Sequence, residues 1–306
     1  MTSRSLLLSL LSMSILTSVA CKSGGQSTGS APATPVAPGA QPVLVSKQFS
    51  FTEGPAVDKA GNIFFTDQPN DKIWKYDTEG KLSLFLDKTG RANGLYFDRK
   101  GQLIACADAN NELWSITPEG KSTILMDNYQ GKKMNGPNDL WIDKTNGIFF
   151  TDPYYQRDYW TRKTPELDKM HVYYLAAGTR TPVVVADSFA RPNGIVGSKD
   201  GKIMYVADIG AGKIYKYTVE KDARLTNRTL FASQTADGIT LDNQGNLYAA
   251  GNGVTVYNPK GEKIQHIPIP EKWTANLCFG GPKRDVLFIT ASTAVYTLQM
   301  QVKGIE

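Results

Sequence analysis

The feature that most limits what this chain can fold into is a short phrase written six times. The phrases open at Glu53, Asn93, Asn138, Asn193, Asp237 and Asn276, at intervals of 39 to 55 residues. Glu53-Gly-Pro-Ala-Val-Asp, Asn93-Gly-Leu-Tyr-Phe-Asp and Asp237-Gly-Ile-Thr-Leu-Asp show the pattern: one acid or amide, then an apolar run closing on Asp. Intervals of that size suit one four-stranded propeller blade per phrase. The innermost strands of a propeller surround a central channel, so equivalent positions in six blades form a ring.

Each phrase leads to a turn and a second β run, as in Asp58-Lys-Ala-Gly61 before residues 63–67 and Asp242-Asn-Gln-Gly245 before residues 247–250. An Asp side chain can bond the turn backbone while Gly takes a positive φ, which closes a hairpin. Aromatic, alternating third strands follow at residues 73–76, 113–116, 172–175, 214–217, 254–257 and 294–297. Fourth strands are expected at residues 82–86, 122–126, 182–186, 229–232 and 264–269. The sixth is missing, and residues 43–47 have the length and position to supply it. The predicted fold is therefore all-β: a six-bladed propeller over residues 42–306, its ring closed by an N-terminal strand that completes the last blade.

Residues 1–20 read as an export signal, with Arg4 ahead of an apolar run and then small residues before Cys21. Ser18-Val-Ala-Cys21 has the layout of a bacterial lipobox, so Cys21 is expected to carry a lipid. Residues 21–41, rich in Gly, Ser, Ala, Pro and Thr, are expected to form a tether. The chain is thus expected to be exported to the periplasm or cell envelope, to meet the membrane through its lipid alone, and to work as a monomer. Its 34 basic and 29 acidic residues are well mixed, which argues against nucleic acid as a partner. Cys106 and Cys278 fall in blades separated by blade one, so both are read as buried and unpaired.

One Glu, four Asn and one Asp around one channel make a cage of oxygens. Hard oxygen donors without Cys or His favour Ca²⁺ over Mg²⁺, with Mn²⁺ and Zn²⁺ as remaining candidates. Glu53 and Asp237 would offset the charge of a divalent ion. Asn93 and Asn276 are read as structural. Aspartates 67, 108, 152 and 208 end the second strands and are read as bonding strand-end amides. The connection over residues 153–170, in blade three, is long and both aromatic and basic, a candidate lid over the ring's own face or else a surface insertion that packs its aromatics against the rim. Tyr155, Arg157 and Trp160 are its candidate substrate contacts.

Phe51-Thr-Glu-Gly-Pro55, Asn135-Gly-Pro-Asn-Asp139, Arg191-Pro-Asn-Gly194, Ala236-Asp-Gly-Ile239 and Phe279-Gly-Gly281 resemble, in order, the motifs of the gluconolactonase and regucalcin family of six-bladed propellers. The resemblance implies metal ligands at Glu53, Asn193 and Asp237, with Asn138 as a further ligand or substrate contact. It also implies metal-dependent hydrolysis of a sugar lactone, with Asp237 as the base. Animal members carry an Arg where this chain has Gly136, so their sugar contacts do not transfer. Three other readings share the scaffold: an organophosphate hydrolase of the diisopropyl fluorophosphatase type, a strictosidine-synthase-like enzyme, and a non-catalytic NHL-type binding propeller at the envelope.

Overall fold

A computed structural model describes residues 1–2 and 34–306. Residues 34–306 form one compact unit of six four-stranded antiparallel sheets, each sheet one blade. The expected signal segment, Cys21 and the tether up to residue 33 lie outside the described residues. Five blades take four consecutive strands each. The last combines Thr274–Gly280, Val286–Ala291 and Ala294–Gln299 with the N-terminal strand Val43–Ser46, which pairs through Val43 with Thr297 and Leu44 with Tyr296. The ring closes as the missing sixth fourth strand required.

The packed unit begins earlier than residue 42. Val36 bridges to Met300 and the Ala37 N–H donates to the Gln299 carbonyl at 3.1 Å, so residues 34–41 are fastened to the last blade. Val36 gains a buried apolar site against Met300 and Val302, which its Pro- and Ala-rich neighbourhood does not reveal.

The hairpin turns form as their sequences require. Asp58 Oδ1 accepts the N–H groups of Gly61 and Asn62, and Gly61 adopts a φ of +104°. Asp98, Asp143 and Asp242 hold their turns the same way. Aromatic rings fill the seams between neighbouring blades: Phe64 meets Phe97 at 5.1 Å, Phe231 meets Tyr257 at 6.1 Å, Tyr248 meets Phe279 at 5.2 Å, and Phe65 meets Phe288 at 5.3 Å. Full burial, as at Phe65, Tyr248, Phe279 and Phe288, stabilises the fold by roughly 1.5–3 kcal/mol per ring relative to exposure. Cys106 and Cys278 are buried and unpaired.

Candidate functional site

All six phrase-opening residues sit at or beside the starts of the innermost strands, and all six are buried. Glycines that follow Asn93, Asn193 and Asp237 tie neighbouring blades together. The Gly94 N–H donates to the Asn138 carbonyl at 2.8 Å, and the Gly194 N–H to the Asp237 carbonyl at 2.9 Å. A Cβ on Gly94 or Gly194 would lie 2.5 or 2.3 Å from those oxygens. Glycine is used here for close approach between blades, not for a turn, because neither residue has a positive φ. The Asn-Gly and Asp-Gly pairs of the sequence are therefore stitches between neighbouring blades.

The ring floors a cavity of about 360 Å³. Glu53, Asn93, Asn138, Asn193 and Asp237 line it from the floor, and Tyr155, Arg157 and Trp273 from the walls. Asn276 is turned aside: its Nδ2 donates to Asp139 Oδ2 at 3.3 Å, and its Oδ1 accepts the Leu277 N–H. Asn93, expected to be structural, lines the cavity floor as well. A larger cavity of about 690 Å³ opens at the opposite end of the channel, between the hairpin turns and Ile305 and Glu306. No ring residue reaches it, so we place the chemistry at the smaller one.

The electrostatics of the floor are unusual. Burial, and then the nearby Asp237 carboxylate, push Glu53 well above the usual carboxylate range, while the Gly54 N–H donating to Oε2 at 2.9 Å opposes the shift. Burial also raises Asp237, against the Trp273 indole N–H that donates to its Oδ2 at 2.7 Å. A third carboxyl, Asp139, is pushed up to about 7 by burial. Among the described residues no Lys or Arg forms an ion pair with any of the three. Uncompensated buried carboxylates are costly, and a cation removes the cost.

Asp139 and Trp273 were not found in the sequence. Asp139 stands in the third phrase where most others have Gly, and that departure was the available signal. Trp273 lies outside every repeated phrase and carries none.

The donor set fits a hard divalent ion. Two carboxylates balance the charge, and the Asn138 and Asn193 amides add neutral oxygens. Among the described residues no group of three or more His, Cys, Asp or Glu side chains has metal-holding geometry, so an ion here would rest on two acids and amides.

The long connection of blade three reaches back over blade two. Asp108 is its anchor: Oδ2 accepts Arg157 Nε at 2.8 Å, the Tyr159 hydroxyl, and Gln68 Nε2 at 3.1 Å, while the Asp108 carbonyl accepts the Trp160 indole N–H at 2.8 Å. Asp108 thus departs from the other strand-end aspartates. Asp67 takes the N–H groups of Ser50 and Phe51, Asp152 those of Asn135 and Gly136, and Asp208 those of Ala190 and Arg191, as expected. Tyr155 and Arg157 reach the cavity. Trp160 does not: at 4% exposure it is packed beneath the loop, with Arg162 stacked on its ring at 4.3 Å, so it supports the wall instead of covering the mouth.

Residues 51–293 match the family model described as the SMP-30/gluconolactonase/LRE-like region. The chain belongs to that family. It is 28% identical over 292 residues to a gluconolactonase of Zymomonas mobilis, covering 85% of this chain and 82% of the relative. The solved structure of a gluconolactonase from Xanthomonas campestris superposes with a TM-score of 0.81 at 28% identity, over 87% of this chain and 91% of that one. A calcium-binding regucalcin from Agrobacterium tumefaciens, 18% identical, superposes with a TM-score of 0.71 over 85% of this chain and 94% of that one, a likeness of fold. Membership agrees with the ring: five of its six members line one cavity in this chain.

Proposed function

We propose that this chain is a lactonase that opens a sugar lactone by adding water to its carbonyl, assisted by a divalent cation, with Ca²⁺ the best-fitting choice. Its relatives support the lactone; the observation that carries the cation is the pair of buried carboxylates, Glu53 and Asp237, facing one cavity with no ion pair to a basic side chain among the described residues. Glu53, Asn193 and Asp237, with Asn138, would hold the ion. Bound there, it would polarise the lactone carbonyl and stabilise negative charge on the carbonyl oxygen.

The remaining work falls to side chains. Asp237 is the base: its buried carboxylate faces the cavity, where it can take a proton from water. The Trp273 N–H holds one of its oxygens in place. Asp237 accepts a proton from water as the water oxygen bonds to the carbonyl carbon. The ring C–O bond then breaks, and the departing oxygen takes that proton as a hydroxyl. Asn193 donates to the Tyr155 hydroxyl at 3.2 Å, which ties the floor to the wall.

The test is turnover of a panel of sugar lactones and organophosphates by protein stripped of metal and refilled with Ca²⁺, Mg²⁺, Mn²⁺ or Zn²⁺. Lactone hydrolysis restored by one ion supports the reading, and phosphorus-ester hydrolysis alone overturns it. Export and anchoring through Cys21 belong to the same proposal. Cys21→Ala should move the protein from the membrane to the soluble fraction, and no change in partition would remove the anchor.

A further inference from the structure

Arg157 lines the ring cavity and Arg191 lies beside it on the cavity-lining Tyr155, and among the described residues neither guanidinium is fully used by the protein. Arg157 and Arg191 both stack on the Tyr155 ring, 5.4 and 4.9 Å from its centroid. Arg157 gives only its Nε to Asp108. Its two terminal nitrogens make no protein hydrogen bond, and its side chain, 24% exposed, lines the cavity. Arg191 is exposed and its guanidinium forms neither an ion pair nor a hydrogen bond.

The rest of the mouth offers little else to a polar ligand. Phe51, Pro69 and Ile209 are apolar, Gln68 gives its Nε2 to Asp108, and the one donor of Trp273 is committed to Asp237. All the carboxylates of the cavity lie on the floor. A ligand placed with its reacting carbonyl towards Asp237 therefore meets acids below and guanidinium donors above. Planar guanidinium groups match carboxylate and phosphate oxygens, and Asp108 pre-orients one of them.

We infer that the mouth recognises a carboxylate or phosphate on the side chain of the lactone, away from its reacting carbonyl, through Arg157 and Arg191. This rests on the lactonase reading and narrows its substrate class to anionic sugar lactones. A volume of about 360 Å³, near the lower end of the 300–1,000 Å³ usual for ligand pockets, suits one sugar ring with its substituent.

The experiment compares kcat/KM of the metal-loaded full chain on glucono-δ-lactone, on its phosphate ester at the terminal carbon, and on glucaric acid monolactone. At least one anionic lactone should exceed the neutral one by about 10-fold, the scale of one charged hydrogen bond. The better anionic arm tells phosphate from carboxylate. Arg157→Gln should shrink that preference by about 10-fold and Arg191→Gln by roughly 3-fold, and about 1 M salt should shrink it in the wild type. Arg191 is exposed, so its variant keeps the test available even if Arg157→Gln, which strips Asp108 of its ion-pair partner, folds poorly. Equal efficiency on neutral and anionic lactones, or a preference that survives in a folded Arg191→Gln and in high salt, overturns the inference and leaves the lactonase standing. Failure to hydrolyse any lactone overturns both.

Discussion

The innermost strands and the strands beside them both place carboxylates near one end of the channel, and they treat them in opposite ways. Asp67 and Asp208, on the neighbouring strands, have backbone amides on their oxygens. Even Asp152, which burial pushes up to about 7, has one oxygen on the Asn135 N–H and the other on the Gly136 N–H. Glu53 and Asp237, beside the starts of the innermost strands, each have a single hydrogen-bonded oxygen, on the Gly54 N–H and the Trp273 indole, and no ion pair among the described residues. A carboxylate whose lone pairs are filled by the backbone serves the fold. One left short of partners in a cavity has capacity for a cation or a proton.

The largest effect that would break this contrast is on catalysis. Asp237→Asn keeps the size and one oxygen but removes the charge and the ability to take a proton. Hydrolysis at saturating metal should fall by about 100- to 10,000-fold. Wild-type rates from a variant whose metal site is full would remove Asp237 as the base.

Metal removal comes next. An ion that binds only the folded ring should stabilise it by about 4 kcal/mol at a concentration 1,000 times its Kd, and chelation should lower the melting temperature accordingly. Calorimetry with and without chelator reads this directly. Identical curves for loaded and stripped protein would mean that the floor carboxylates are not a metal site.

The pH dependence of metal-free protein sharpens the same contrast. Asp139 is held at about 7 by burial, against an ordinary value of 3.8, so the folded state keeps a proton that the unfolded chain has lost between those values. Its contribution is complete below about pH 4 and disappears as pH rises through 7. The raised Glu53 and Asp237 carry the same sign. Urea midpoints should therefore fall from pH 5 to pH 8, with a share for Asp139 on the order of 2–3 kcal/mol. Asp139→Asn should flatten the profile, and an unchanged slope would show that this carboxyl does not titrate in the window.

How much of this was legible in sequence follows from what is local. The blades were, because each phrase carries its own alternation and turn chemistry, and the closing strand followed from the one fourth strand that was missing. The ring was, because its members recur at one position. Burial and side-chain direction were not. Val36 looks like tether until Met300 is beside it. Trp160 looks like a cover until its indole is seen on the Asp108 carbonyl. Asp108 is written like the three other strand-end aspartates and is set apart only by a loop that arrives from the next blade.

The smallest effect tests the quiet side of the contrast. Asp67 accepts the Ser50 and Phe51 N–H groups at 3.0 and 3.2 Å through Oδ1, while Oδ2 accepts Asn70 Nδ2 at 2.8 Å. Asp67→Asn retains one carbonyl oxygen for the two amides, but its new NH₂ group would face the Asn70 donor. The loss should be about 1–2 kcal/mol of stability, from weakened charge-assisted bonds and one mismatched pair. Metal affinity should hold, since the Asp67 carboxylate does not line the ring cavity. Denaturant midpoints and metal titration of the same preparation separate the two. If Asp67→Asn instead loses metal binding while keeping its stability, the strand-end aspartates belong to the site and the division drawn between the two strands is wrong.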